Sequence, residues 1–121
     1  MSSADRKEFI LRIVRDRLGP ERAITAREIG DMVGLDDRTV RQIIRELIVE
    51  DGQGEILASN GHEAFRGCPM GYFWASSRAQ CETYYEVLVS RREDITQRMQ
   101  AAWHARNRLA RAPVGQMGLG V

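Results

Sequence analysis

The chain has 121 residues, with 18 Lys and Arg against 17 Asp and Glu and a formal charge of +1. That length suits one domain with a modest core, and the near-neutral charge excludes bulk attraction to nucleic acid or membrane, so any such binding must come from local patches. No apolar run approaches the ~20 residues needed to cross a bilayer, and the opening MSSADRKEF lacks the apolar stretch of a signal peptide; a cytoplasmic protein with Cys68 and Cys81 reduced is expected.

The first predicted helix runs from about Ala4 to Leu18. Ser3 is its expected cap, Phe9, Ile10, Ile13, Val14 and Leu18 its buried stripe, and Gly19-Pro20 its stop. A second helix then carries a full start signal. Thr25 caps it, Glu28 stands three residues on to close a capping box, and Ile24 and Ile29 flank the cap as a hydrophobic staple. Gly34 supplies the permissive backbone of a sharp turn, and Gly30 the small residue where two helices cross. The third helix starts at Asp36, with Leu35 and Val40 as its staple. Val40, Ile43, Ile44 and Leu47 form its buried stripe, which turns Arg38, Thr39, Arg41, Gln42 and Arg45 outward.

Two capped helices joined by a glycine turn are the helix-turn-helix signature. Arginine pairs bidentately with guanine and glutamine with adenine in the major groove, so the outward face reads as a DNA-contacting face. The alternative is a solvated helix surface. Asp36, Asp37, Glu46 and Glu50 offset the arginines, so strong non-specific affinity for DNA is not expected.

After the glycine-rich stop Asp51-Gly52-Gln53-Gly54, Glu55 to Ser59 is a predicted strand. Asn60-Gly61 opens a loop of about ten residues holding His62, Glu63, Arg66, Cys68 and Pro69, and Gly71 to Ala75, GYFWA, is a second strand. Three helices followed by a hairpin resemble the winged helix-turn-helix superfamily from Ala4 to Ala75. The GYFWA strand after a polar loop, leading into a serine-capped helix, looks like small winged-helix proteins of phages and prophages. The resemblance implies that the second helix of the pair enters the major groove of double-stranded DNA and the wing approaches the backbone or the minor groove. Arg38, Thr39, Arg41, Gln42 and Arg45 would then read bases or phosphates, and Arg66 would be the wing contact. With one arginine and the acid Glu63, the wing loop is a sparse DNA surface.

From Ser77, with Gln80 closing a capping box, the chain is expected to be helical to about Arg111, a length of ~50 Å. Cys81, Leu88, Ile95, Ala102 and Leu109 recur every seven residues. Tyr85 and Met99 take the intermediate position of two heptads, and Arg92 and Arg106 that of the others. A homodimer seam through Leu88, Ile95, Met99, Ala102 and Leu109 is the favoured reading. The alternatives are packing of Tyr84, Tyr85 and Leu88 back onto the same domain, and a seam for a different protein partner. Ala112 to Val121 reads as a disordered tail.

Chemistry is not indicated. His62, Cys68, Cys81 and His104 lack paired zinc-ligand spacing, the glycine clusters lack the lysine and hydroxyl of a phosphate loop, and no serine or cysteine stands in a nucleophile motif. No enzyme activity, metal or cofactor is expected. The expected fold is mainly α with a small β-hairpin: a winged helix-turn-helix domain over residues 1–76, a long C-terminal helix over 77–111 as a dimerisation element, and a tail over 112–121. The expected function is double-stranded DNA binding in transcription regulation or phage DNA metabolism. The alternative is a protein-interaction module that binds no DNA.

Overall fold

A computed structural model describes residues 2–111. The chain is mainly helical, with one antiparallel hairpin and a long C-terminal helix. In order it forms α1 (Ser3–Arg15), a short 3-10 turn (Pro20–Arg22), α2 (Ala26–Val33), α3 (Asp37–Val49), β1 (Ile56–Ser59), β2 (Gly71–Trp74) and α4 (Arg78–Arg111). The expected tail lies outside the described residues. Two compact units divide the chain, Met1–Val87 and Leu88–Val121.

In the first unit, α1 corrects the sequence reading at both ends. Its cap is Ser2, whose hydroxyl accepts from the Asp5 amide while the Asp5 carboxylate accepts from the Ser2 amide. A cap at Ser3 would have Arg6 three residues on, which has no acceptor to close the box. The helix stops at Arg15, short of Leu18, because the following backbone bonds β2 instead. The Trp74 amide donates to the Arg17 carbonyl at 2.7 Å, and the Gly19 amide to the Trp74 carbonyl at 2.9 Å. The buried stripe is Ile10, Leu11, Ile13 and Val14, whereas Phe9 and Leu18, expected inside, are 42% and 49% exposed.

α2 and α3 start and stop as their residues dictate. The Thr25 hydroxyl accepts from the Glu28 amide and the Glu28 carboxylate from the Thr25 amide, both at 3.1 Å. Gly34 is left-handed, with φ 74°, and both its amide and that of Leu35 donate to the Gly30 carbonyl. Gly30 is required by close approach, since a Cβ there would collide with the Leu35 carbonyl oxygen. Asp36 then caps α3 by accepting from the Thr39 amide at 2.8 Å. Val40, Ile44 and Leu47 are buried against Ile10, Val14, Ile24 and Ile29, with Ile43 partly buried beside them.

β1 begins at Ile56, one residue later than expected, and pairs with β2 in the register Ile56–Trp74, Leu57–Phe73, Ala58–Tyr72 and Ser59–Gly71. Successive side chains alternate between faces. Ile56 joins the helical core, and Tyr72 and Trp74 pack on it. Leu57 and the fully buried Phe73 take the other face. Loop residues return to Phe73: the Phe65 ring meets it edge-on at 5.0 Å, and Ala64 is buried. Asn60 shapes the loop by accepting from the His62 and Glu63 amides. A reciprocal pair of bonds between Ile24 and Tyr72, at 2.8 and 2.7 Å, ties the hairpin to the chain just before α2. Gly71 makes that approach feasible: its φ is +137°, and a Cβ would collide with the Ile24 carbonyl.

α4 begins after Ser77, whose hydroxyl accepts from the Gln80 amide at 3.3 Å. The Gln80 carboxamide oxygen accepts from the Ser76 amide, one residue before the partner a capping box would use. In the second unit the helix carries exposed apolar residues: Leu88, Ile95, Met99, Trp103 and Leu109, with Ala102 exposed as well.

Candidate nucleic-acid interface

Arg38, Thr39, Arg41, Gln42 and Arg45 are all exposed on α3, opposite the buried Val40, Ile44 and Leu47. The helix period alone produces this division, because an apolar stripe at i, i+3, i+4 and i+7 leaves the remaining positions outside. The residues differ in how far they are engaged. Arg41 pairs with Asp37 at 3.2 Å, one turn earlier. Gln42 donates to Glu46 at 3.4 Å. Arg45 has no hydrogen-bond or ion-pair partner among the described residues, which leaves its guanidinium available to an acceptor outside the chain. The Thr39 backbone serves the Asp36 cap, and its hydroxyl is exposed.

The acids around this face are mostly occupied. Lys7 of α1 reaches Glu46 at 3.4 Å and Asp51 at 3.3 Å, and the Asp51 hydrogen bond is the main reason its ammonium is held above the usual lysine value. The single lysine thus screens two carboxylates at the C-terminal end of α3. The sequence reading assigned it no role, because its partners lie 39 and 44 positions along the chain. Asp36 is kept ionised below its ordinary value by the Thr39 hydrogen bonds. Its negative charge at a helix N-terminus is favourable there.

Arg41 also lines a shallow groove with Thr25, Ala26, Ala58, Ser59, Met70, Gly71 and Tyr72. The N-terminus of α2, the exposed side of α3 and the hairpin therefore meet at one surface. Burial raises the Tyr72 phenol above its usual value, and the nearby Arg41 charge opposes that shift. Tyr72 and Met70 belong to this surface through tertiary contact, and nothing in their sequence spacing singles them out.

Arg66 is exposed on the hairpin loop, away from the α3 set in sequence, and its Nε donates to the His62 carbonyl at 2.8 Å. Among the described residues no group of His, Cys, Asp and Glu side chains is placed to hold a metal ion, and no helix is long and apolar enough to cross a membrane. Cys68 and Cys81 are free thiols. No protein-family model, curated protein or solved structure matches this chain.

Proposed function

We propose that this is a winged-helix protein that binds double-stranded DNA, with α3 as the recognition helix and the β1–β2 hairpin as the wing. The observation that carries the reading is the exposed set Arg38, Thr39, Arg41, Gln42 and Arg45 on a helix whose other side is anchored in the core. A rigid helix with long donor and acceptor side chains on its free face suits major-groove readout. The wing contributes less. Its loop folds back on Phe73 through Phe65, and Arg66 is partly engaged by His62. The role that follows is regulation of transcription, or DNA metabolism of a phage, in the cytoplasm. Dimerisation through the exposed stripe Leu88, Ile95, Met99, Ala102 and Leu109 would present two recognition helices to a palindromic site.

A second reading, a protein-interaction module, is favoured by the internal pairing of Arg41 with Asp37 and of Gln42 with Glu46. Selection of bound duplexes from a random pool, followed by titration at several salt concentrations, separates the two. A recurring sequence motif whose affinity falls steeply with salt supports DNA recognition, because neutralised phosphates release counterions. No enrichment, and no salt-dependent shift, overturns it in favour of a protein partner.

A further inference from the structure

We infer that Lys7 of α1 is a positioning residue for base readout: through Glu46 it holds the Gln42 carboxamide at the centre of the α3 face, oriented to read adenine. The inference rests on the DNA reading proposed above and deepens it, by assigning one base and the residues that set it.

Gln42 is the α3 reader placed most squarely outward. At about 100° per residue it points about 200° away from Val40, which is fully buried, so it lies at the middle of the exposed face. Arg41, about 100° from Val40, lies at the edge of that face, beside the hairpin. Adenine presents the major groove with a donor, N6, next to an acceptor, N7. A carboxamide matches the pair with its oxygen and one amide hydrogen.

Three side chains hold that carboxamide. Gln42 Nε2 donates to Glu46 Oε1 at 3.4 Å, one turn further on. The other carboxylate oxygen, Glu46 Oε2, faces the Lys7 ammonium at 3.4 Å, and Lys7 is itself held by its bond to Asp51 at 3.3 Å. A carboxylate only accepts, so Glu46 determines that the nitrogen end of Gln42 faces it. The bond does not exhaust Gln42. Its oxygen accepts no bond among the described residues, and its second amide hydrogen is left for adenine. The Lys7 and Glu46 side chains are 26% and 30% exposed, against 63% and 48% for Arg41 and Asp37, so water and salt screen the Lys7 contact less.

The tether acts on preference. A free glutamine must give up its rotamer freedom to pair with adenine, and it keeps that freedom opposite a base it does not pair with. Held by Glu46, it has lost the freedom before DNA arrives, which favours adenine over the other bases. Lys7 keeps Glu46 in place and offsets a carboxylate that would otherwise repel phosphate. Removing Lys7 and removing Glu46 therefore shift overall affinity in opposite directions but base preference in the same direction.

Selection from a random duplex pool with the full chain locates the preferred adenine, and Gln42→Ala identifies the position as the one whose preference disappears. Competition titrations then compare duplexes that differ only there. Lys7→Met and Glu46→Ala should each lower the adenine preference about three- to tenfold, with circular dichroism and the preferences at other positions unchanged. Overall affinity should fall in Lys7→Met and rise in Glu46→Ala, and Lys7→Arg should restore the preference. Full adenine preference in both Lys7→Met and Glu46→Ala would overturn the tether while leaving Gln42 and the DNA reading in place. A Gln42→Ala protein with the unmodified preference at every position would overturn it as well. If no duplex is enriched, the DNA reading fails and the tether fails with it.

Discussion

Arg45 and Arg41 occupy the same helix face but start from different states, and that difference is measurable. Arg45 has no internal partner among the described residues, whereas Arg41 must share or leave Asp37 to contact DNA. Arg45→Ala should therefore cost about 1–3 kcal/mol in specific binding and Arg41→Ala somewhat less, with circular dichroism unchanged in both. Fluorescence anisotropy on the selected duplex is the measurement, and unchanged affinity in both folded variants would remove α3 from the interface. A second residue-scale prediction concerns the α2 cap. The Thr25 hydrogen bonds hold the Glu28 carboxyl below its ordinary value of 4.5. The stabilisation is therefore present above that value, and it is lost as pH falls through the lower folded value. Thermal melts should show stability declining on acidification below 4.5, and the part of that decline due to Glu28 should shrink in Thr25→Ala, which loses the hydroxyl bond and keeps the backbone amide donor. That variant should also be about 1 kcal/mol less stable at neutral pH. An identical acid limb in both proteins would dissociate the cap from the pH response.

At the scale of elements, α3 is held by what lies beneath it, and the hairpin by what it touches at Gly71. Leu47 is buried beside Ile10, Val14 and Ile44. Leu47→Ala should destabilise the first unit by about 2–5 kcal/mol through lost burial and a residual cavity. DNA affinity should fall only in proportion to the folded fraction. A wild-type melting curve for this variant would place the buried face of α3 elsewhere. Gly71→Ala combines a disfavoured φ with a collision against the Ile24 carbonyl. It should cost more than about 1 kcal/mol and loosen the Ile24–Tyr72 pairing. Faster exchange of the Tyr72 and Ile24 amides, with the α1 amides still protected, is the expected signature. A uniform change across the unit would mean that the hairpin and the helices unfold together.

At the scale of the whole molecule, acids outnumber bases among residues 1–87, and bases outnumber acids from Leu88 onward. If the first unit binds DNA as proposed, the attraction must be local to α3, and its salt dependence should correspond to few phosphate contacts. The proposed dimer rests on the second unit. Covering Leu88, Ile95, Met99 and Leu109 with a second copy removes apolar area from water, worth about 25 cal/mol per Å² before the cost of association. Ile95→Glu with Leu109→Glu places carboxylates in that seam and should yield a monomer that binds a palindromic duplex more weakly than the unmodified protein. A single half-site should be bound equally by both. Sedimentation equilibrium and paired titrations measure these outcomes. Unchanged mass in the variant would exclude the stripe as the seam.

The caps of α2 and α3 and the buried face of α3 were legible from residues alone, because their causes are local. Thr25 with Glu28, Gly34 in its left-handed turn, Asp36, and the spacing of Val40, Ile44 and Leu47 each determine backbone or facing within about a turn of themselves. The hairpin strands and the extent of α4 were readable for the same reason. What lay beyond the sequence depended on which surfaces meet. Phe9 and Leu11 flank the α1 stripe on opposite sides, and periodicity treats them alike; the fold covers Leu11 and leaves Phe9 in water. α1 stops at Arg15 because β2, more than fifty residues later, bonds the backbone that a longer helix would have used. Lys7 at the C-terminal end of α3, Phe65 on Phe73, and Tyr72 beside Arg41 are likewise products of distant packing. Local spacing encodes caps, turns and faces. Partnership between segments far apart in the chain is decided only when the core closes and excludes water.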